Sequence, residues 1–475
     1  MSELSNKQAE EQHKLGKLTA AERIEKIADA GSFIELDKYL ARSNAVAGYA
    51  DVSAPGEGVI TGWATVEGRP VYVCAQDYTV LKGSLGTAHA AKINKAIDMA
   101  AKQGMPVICL WDCGGARVQE GAAALNAIAS IMKKLTDVSG VVPTISVVAG
   151  GLFGSAAVLS ALTDFTIAIE KISATSVVSP MIIASSEGIE PDDDAICGAK
   201  VQGEDTGNAQ FVCAGEEEAI ATLKDLLRFL PSNNLEEAPY AVVEDDAARV
   251  TVADAADAAA LIRDIADNNE FLEAYAGYGD DMITGFATMN GYPVGIVANV
   301  PGKAISPKGC RKAARFVSIL DAYDMPIVTL VNNEGAVVSA KAARCCQLRA
   351  MARLIAAYGE AGCPMVSVIT GKAIGTGYVA MGNKSCGADL VYAYPTAEIS
   401  CVEAEAGAII LYDGAKSRAG EYKEQFASPM AAAKQGVVDD IIEPGATRQC
   451  IIRAIEMAAN KREQKLPKKH GILPL

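Results

Sequence analysis

The chain has 475 residues, with 43 Lys and Arg against 58 Asp and Glu, a formal charge of −15. Half of the residues are hydrophobic and only 5% aromatic, which excludes a disordered chain and suits α/β layers packed closely through small residues. The acidic balance argues against a nucleic-acid partner, which needs a concentrated basic face, but leaves room for an anionic small ligand held by a few cations and helix N-termini.

At roughly 150 residues per domain the length predicts two or three domains. The first segment, MSELSNKQAEEQHKLGK, is charged and polar and does not read as a signal peptide. EGVITGWATVEGRPVYVCAQD, from Glu57, reads as a β-hairpin with a Glu-Gly turn. Thr87 to Gln103 then reads as a helix with Ile93 and Ile97 on one face, and a Met-Pro-led strand follows at Met105. Leu125, Ile128, Met132 and Leu135 carry the helical period of the next element. Val138 to Thr163 holds no charge, but Pro143 and three glycines make it a buried strand (Thr144–Val148), a glycine turn and a helix from about Ser155, rather than a membrane span.

The same order then repeats. DDMITGFATMNGYPVGIVANV, MPIVTLVN and CPMVSVITGKAIGTGYV echo the first half at offsets of 223, 220 and 221 residues. The join falls in the Pro- and acid-rich stretch Pro231–Asp246, so domains are expected at 1–235 and 236–475. Alternating strands and helices imply α/β domains, each with a largely parallel, buried sheet.

Three glycine turns join a buried strand to a helix: Gly114-Gly115-Ala116-Arg117, Gly150-Gly151-Leu152-Phe153-Gly154-Ser155, and Gly371 through Gly375-Thr376-Gly377. Glycine lets backbone approach a ligand closely, and the first amides of a helix are unpaired, so such turns can hold an oxyanion. The recurrence of one turn in both halves suggests two such sites. Of three histidines, His13 and His470 lie in polar termini, which leaves His89 as the one internal candidate base. No G-x-S-x-G, Walker A or dinucleotide fingerprint stands in proper context, so hydrolysis by a triad, nucleotide hydrolysis and hydride transfer are not indicated. The twelve cysteines include no C-x-x-C pair; Cys74, Cys109, Cys197 and Cys401 are expected as buried thiols, and no metal site is expected.

KLTAAERIEKIADAGSFIELD (Lys17–Asp37), GGARVQEG (Gly114–Gly121), SALTDF (Ser160–Phe165), NGYPVGIVAN (Asn290–Asn299), GADLVYAYPTAEI (Gly387–Ile399) and KKHGILPL (Lys468–Leu475) stand in an order that resembles the carboxyltransferase subunits of biotin-dependent acyl-CoA carboxylases and decarboxylases, of the propionyl-CoA carboxylase β and methylmalonyl-CoA decarboxylase α types. The resemblance implies two tandem ClpP/crotonase-like (β-β-α superhelical) domains, the N-terminal one taking acyl-CoA and the C-terminal one biotin. It implies a site formed between the N-domain of one protomer and the C-domain of its dimer partner, commonly in a hexamer. Carried over, the oxyanion donors fall on Gly154 and Ser155 and within Gly375, Thr376 and Gly377, with CO2 passing between the thioester α-carbon and biotin.

On the acyl-CoA side the candidates are Gly114, Gly115, Ala116 and Arg117; Lys92, Lys95 and Arg117 are by position candidate cations for the CoA phosphates, the alternative being solvated helix charges for the lysines and a turn brace for Arg117. The cofactor is biotin on a separate carrier, the substrate a coenzyme A thioester, and no metal is expected. Implied partners are a biotin carboxyl carrier protein and either a biotin carboxylase or membrane sodium-pump decarboxylase subunits, for a homo-oligomer in the cytoplasm. Departures from the family are Ser155, a shortened segment at Asn332–Arg349, and Glu403 in place of a glycine. Competing readings are a biotin-independent crotonase-like hydratase or decarboxylase using Glu398 or Glu405, and a non-catalytic scaffold subunit.

Overall fold

The computed structural model describes residues 3–41, 54–463, 465–469 and 471–472, so His470 and the last three residues of KKHGILPL lie outside the described residues. The chain forms two compact units, Met1–Glu236 and Glu237–Leu475. The first is built on β1 (Ile34–Leu36), β2 (Val59–Val66), β3 (Arg69–Gln76), β4 (Val107–Cys113), β5 (Thr144–Phe153), β6 (Phe165–Ile169), β7 (Ala174–Ser176) and β8 (Phe211–Cys213). Their order is β1-β2-β3-β4-β5-β6-β8, with β7 beside the end of β5. The second unit has β9 (Leu272–Ala274), β10 (Met282–Met289), β11 (Tyr292–Asn299), β12 (Ile327–Asn333), β13 (Met365–Ile374), β14 (Leu390–Ala393), β15 (Glu398–Ser400) and β16 (Asp440–Ile441). Its order matches the first strand for strand, with β15 in the place of β7. In each unit the first three strands pair antiparallel and every later pairing is parallel.

The two hairpins turn as their sequences predict. Glu67-Gly68 and Asn290-Gly291 each place two successive residues at positive φ, +49° and +79° and then +51° and +81°, which matches the right-handed strand twist. An aspartate locks each turn. Asp29 accepts the amides of Glu67 and Gly68, and Asp267 those of Asn290 and Gly291.

The helix expected at Thr87–Gln103 has those bounds, and a second helix, Ala122–Val138, packs beside it. Its buried stripe is Ala124, Ile128, Ile131 and Leu135, so Leu125 faces solvent instead of the core. Both stripes satisfy the helical period; the one with alanine inward lets the helix approach its neighbours more closely.

A second difference bears directly on the site. β5 does not stop at Gly150-Gly151, nor β13 at Gly371; both run on, to Phe153 and Ile374, and the turns begin only at Gly154 and Gly375. The glycines serve the neighbouring strand. A Cβ on Gly150 would stand 2.0 Å from Asp112 Oδ1, and one on Gly371 would stand 2.4 Å from Asn332 Oδ1. The register slips at the same place in both units, between Trp111 and Cys113 and between Val331 and Asn333. Val138–Thr163 is thus a helix end, a strand and a short helical segment, and among the described residues no helix is long and apolar enough to cross a membrane.

Asp112 is fully buried and accepts from Gln12 Nε2 (3.1 Å), Lys17 Nζ (2.7 Å) and Arg23 Nη1 (3.1 Å). Arg23 also spans both oxygens of Glu216 at 2.8 Å and donates to the Ala149 carbonyl. A Thr19–Glu22 capping box starts the helix Ala20–Ile27 that presents Arg23. Burial pulls the Lys17 ammonium below its usual range, opposed by the Asp112 carboxylate. Removing that carboxylate leaves two buried cations short of a partner, so Asp112→Ala is expected to destabilise the first unit by about 3 kcal/mol in a denaturant titration, with the second unit's transition unmoved.

Candidate functional site

Each unit brings two turns together at the C-terminal ends of adjacent parallel strands. In the first, the loop after β4 meets the end of β5: Cys113 pairs with Leu152, and a Cβ on Gly115 would lie 3.6 Å from the Phe153 carbonyl. In the second, Asn333 pairs with Ala373, and a Cβ on Gly335 would lie 3.3 Å from the Ile374 carbonyl.

The hydrogen bonds of these loops match one for one. Gly115 N donates to Cys113 Sγ at 3.2 Å, and Gly335 N to Asn333 Oδ1 at 3.0 Å. Leu85 and Ile305 make equivalent parallel bridges to Ala116 and Ala336. Leu85 N donates to Gly115 O and Arg117 N to Leu85 O, while Ile305 N donates to Gly335 O and Val337 N to Ile305 O. A bridge of this kind uses the carbonyl before and the amide after the bridged residue, so the N–H of Ala116 and of Ala336 points away from it. Among the described residues neither amide has an acceptor. Beside each lies a helical start, Gly154-Ser155 in the first unit and Thr376-Gly377 in the second, whose first amides have no acceptor within the turn they open. Each unit therefore presents main-chain donors without acceptors on two adjoining turns.

Measured against the expected residues, this frame keeps some and moves others. Ala116 and Ser155 supply first-unit amides, with Gly154 at φ +68° forming the turn and open space where its Cβ would be. Gly114 and Gly115 shape the loop, but their own amides are taken, by Lys82 O and by Cys113. In the second unit the Gly375 amide is already bonded within the chain, to Ser400 O at 2.8 Å, and its φ of +52° with ψ of −129° turns the backbone there. Thr376 and Gly377 remain as donors. Ala336 is the residue the sequence reading passed over, although the 220-residue offset from Ala116 points to it.

Two of the three expected cations are enclosed by protein. Lys92 is 1% exposed and donates to the carbonyls of Gly56 and Val59; its counterpart Lys312 does the same to Tyr275 and Met282. Both are struts that tie a helix to the hairpin, and burial lowers both, Lys312 to about 8. Arg117 is 1% exposed, 2.6 Å from Glu57 and 3.2 Å from Glu120, and donates to Ser84 O, so it braces the Ala116 loop from within. Lys95 is at the surface, paired to Asp37 at 2.6 Å.

The candidate bases are also occupied. His89 is fully buried between the Glu57 carbonyl (2.9 Å) and Gln76 (3.3 Å), and burial lowers its pKa to about 3. Glu398 is buried and paired to Lys423 at 3.2 Å, while the Glu405 side chain is 70% exposed with Lys416 at 3.7 Å. Cys401, expected in the core, is exposed and lines a cleft of about 720 Å³ with Gly375, Thr376, Tyr378, Ile399 and Tyr422. That cleft opens directly onto the second donor frame.

These placements separate two kinds of substitution. Gly377→Ala drives a Cβ to 1.9 Å from Asn333 Oδ1 and 2.9 Å from Gly335 Cα, so it displaces the frame itself, whereas at Gly154 an added Cβ meets nothing. Loss of one donor of this type lowers kcat about 10²- to 10³-fold, and that is expected for Gly377→Ala. Gly154→Ala is expected to cost only about 1 kcal/mol of stability from its positive φ, read by thermal melting. His89 sets an acid limit. Its folded pKa lies below the unfolded 6.5, so above 6.5 it has no effect on stability; as pH falls from 6.5 towards 3 the unfolded chain takes up a proton that the folded one refuses. His89→Gln is expected to flatten the loss of stability over that range by up to about 1.4 kcal/mol per pH unit, measured by denaturant midpoints.

Comparison with known proteins identifies the family. A family model described as the carboxyl transferase domain matches residues 11–473. The chain is 39% identical over 485 residues to the methylmalonyl-CoA decarboxylase subunit alpha of Veillonella parvula, covering 99% of this chain and 95% of that one. It is 39% identical over 508 residues to the propionyl-CoA carboxylase beta chain of Saccharopolyspora erythraea, covering 99% and 93%. Among solved structures, the transcarboxylase 12S hexamer with methylmalonyl-CoA and methylmalonic acid bound superposes with a TM-score of 0.96 at 36% identity, over 99% of this chain and 95% of that one. With two tandem crotonase-like domains and this match over nearly its full length, the chain belongs to the carboxyl transferase family.

Proposed function

We propose that this protein is the carboxyltransferase subunit of a biotin-dependent complex, moving CO2 between a short acyl-CoA, propionyl/methylmalonyl or acetyl/malonyl, and biotin carried on a separate protein. The observation that carries the reading is the doubled donor frame: one reaction with two carbonyl-bearing partners needs two places where a carbonyl oxygen is polarised. In the first unit the amides of Ala116 and Ser155 would take the thioester oxygen and stabilise the charge that gathers there as the α-carbon becomes nucleophilic. In the second unit Thr376, Gly377 and Ala336 would take the ureido oxygen of biotin.

The cleft at Thr376 supports that assignment, since Tyr378, Ile399, Tyr422 and Phe426 give apolar walls above an amide floor, as a flat bicyclic ring with one polar edge requires. When bound, biotin supplies the carboxyl-carrying nitrogen. The chain's own part is to hold the two oxygens, orient the groups and exclude water. No base is needed from the protein, in keeping with the buried neutral His89 and the paired Glu398. A homo-oligomer of dimers, working in the cytoplasm with a biotin carrier and either a biotin carboxylase or membrane pump subunits, completes the proposal.

The test is direct. Full-length protein mixed with methylmalonyl-CoA or malonyl-CoA and free biotin is expected to convert the thioester to propionyl- or acetyl-CoA and CO2 in a biotin-dependent manner. Turnover indifferent to biotin and abolished by Glu405→Gln would overturn it in favour of a hydratase-like mechanism. Absence of any acyl-CoA binding by calorimetry would overturn it in favour of a scaffold.

A further inference from the structure

In the second unit the segment at Asn332–Arg349 and Glu403 meet at one side chain. Lys372 Nζ lies 2.7 Å from Glu334 Oε2 and 3.7 Å from Glu403 Oε1. Glu334 directly precedes Gly335 and Ala336, the loop with the free amide, and Lys372 stands three residues before the turn at Gly375. The ion pair thus links the two turns whose amides form the second donor frame. The Lys372 amide is bound too, to Asn332 Oδ1 at 3.0 Å.

The first unit shows what this pair replaces. At the same offsets the positions of Glu334 and Lys372 are Gly114 and Gly151, where no ion pair can form. There the Ala116 loop is held from its other side by Arg117, buried against Glu57 and Glu120. The counterpart of Arg117 is Val337, which carries no charge. Each unit therefore has one charged brace on its donor loop, placed on opposite flanks.

We propose that Glu334 and Lys372, with Glu403 as a second carboxylate, are positioning residues that set the spacing between the Ala336 amide and the amides of Thr376 and Gly377. This rests on the carboxyltransferase reading for its consequence in catalysis, but not for its effect on the loops. Lys372 keeps 40% of its side chain exposed, so the pair acts by fixing geometry more than by Coulomb energy alone. Spacing matters because an amide stabilises a developing oxyanion only within about 2.7–3.1 Å, and a displacement of about 1 Å can remove the effect.

The experiment has two arms on the full-length protein. In the first, hydrogen–deuterium exchange over residues 334–337 and 375–378 is expected to quicken about threefold to fivefold in Lys372→Met and Glu334→Gln, with exchange at residues 114–117 unchanged; unaltered exchange at the two second-unit turns overturns the proposal whatever the activity. In the second, the methylmalonyl-CoA and biotin assay is expected to show kcat lowered about tenfold or more with KM for biotin within twofold, the signature of an interaction made in the transition state. The charge swap Glu334→Lys with Lys372→Glu, made in a Glu403→Gln background so that two carboxylates do not meet, is expected to restore most of the loss, and Glu403→Gln alone to give a smaller one. A loss that the swap does not restore, or variants within twofold of the parent, overturns the proposal. A parent protein with no biotin-dependent turnover, but with exchange responding as expected, overturns only the reading of function and leaves the positioning role standing.

Discussion

At the ends of β4 and β12 a polar side chain, Asp112 or Asn332, fills the space that Gly150 or Gly371 leaves empty on the neighbouring strand. The site geometry follows from that one close fit. With the side chain turned across the neighbour, the register slips, and the next residue, Cys113 or Asn333, faces the following loop and takes the amide of Gly115 or Gly335. The bridge to Leu85 or Ile305 then uses the groups on either side of the alanine. After those bonds are made, the alanine amide alone is left over. A free N–H is costly in a core but tolerable in a half-buried loop that water or a ligand can reach, so the unfilled donor sits where the fold can keep it.

The two units build this frame from different materials. The first anchors it with charge: Asp112 gathers Lys17 and Arg23, and Arg117 spans two glutamates, all buried. Breaking such a pair is expensive because the remaining charge cannot reach water. The second uses neutral asparagines at 332 and 333 and a half-exposed Lys372, whose ammonium is held above its usual range chiefly by its hydrogen bond to Glu334. A half-exposed pair of this kind contributes about 1 kcal/mol or less. The first frame is therefore rigid at a high cost of disruption, and the second is held lightly, beside an apolar cleft.

Much of this was legible in the residues, and the exceptions have physical causes. The hairpins, the helix at Thr87–Gln103, the duplication and the glycine turns follow from local chemistry: a turn pair at positive φ, a 3.6-residue period, a repeated offset. Leu125 was misplaced because one period fits two stripes, and only packing chooses between them. Gly150 and Gly371 read as turn residues because a missing side chain looks the same whether it frees the backbone or makes room for a neighbour. Lys92 and Arg117 read as ligand cations because sequence shows the charge but not the carbonyls and carboxylates that consume it. Their fate is visible only when Val59 and Glu57, more than thirty residues away, come within 3 Å.

That consumption of cations explains how a chain with a charge of −15 can belong to a family whose matched relatives are named for coenzyme A thioesters. Were the reacting oxygens held by Lys or Arg, the same field would attract water and other anions to the site, and the surrounding carboxylates would oppose it. An amide carries only a partial charge, points in one direction and has no proton to lose near neutral pH. It polarises an oxygen placed along its axis and little else. On the proposed function, sequestering Lys92, Lys312 and Arg117 as struts, while leaving alanine and helix-start amides without acceptors, would make the frame selective by direction rather than by charge. Direction is what a duplicated backbone can copy even where the side chains have diverged, as they have between Cys113 and Asn333.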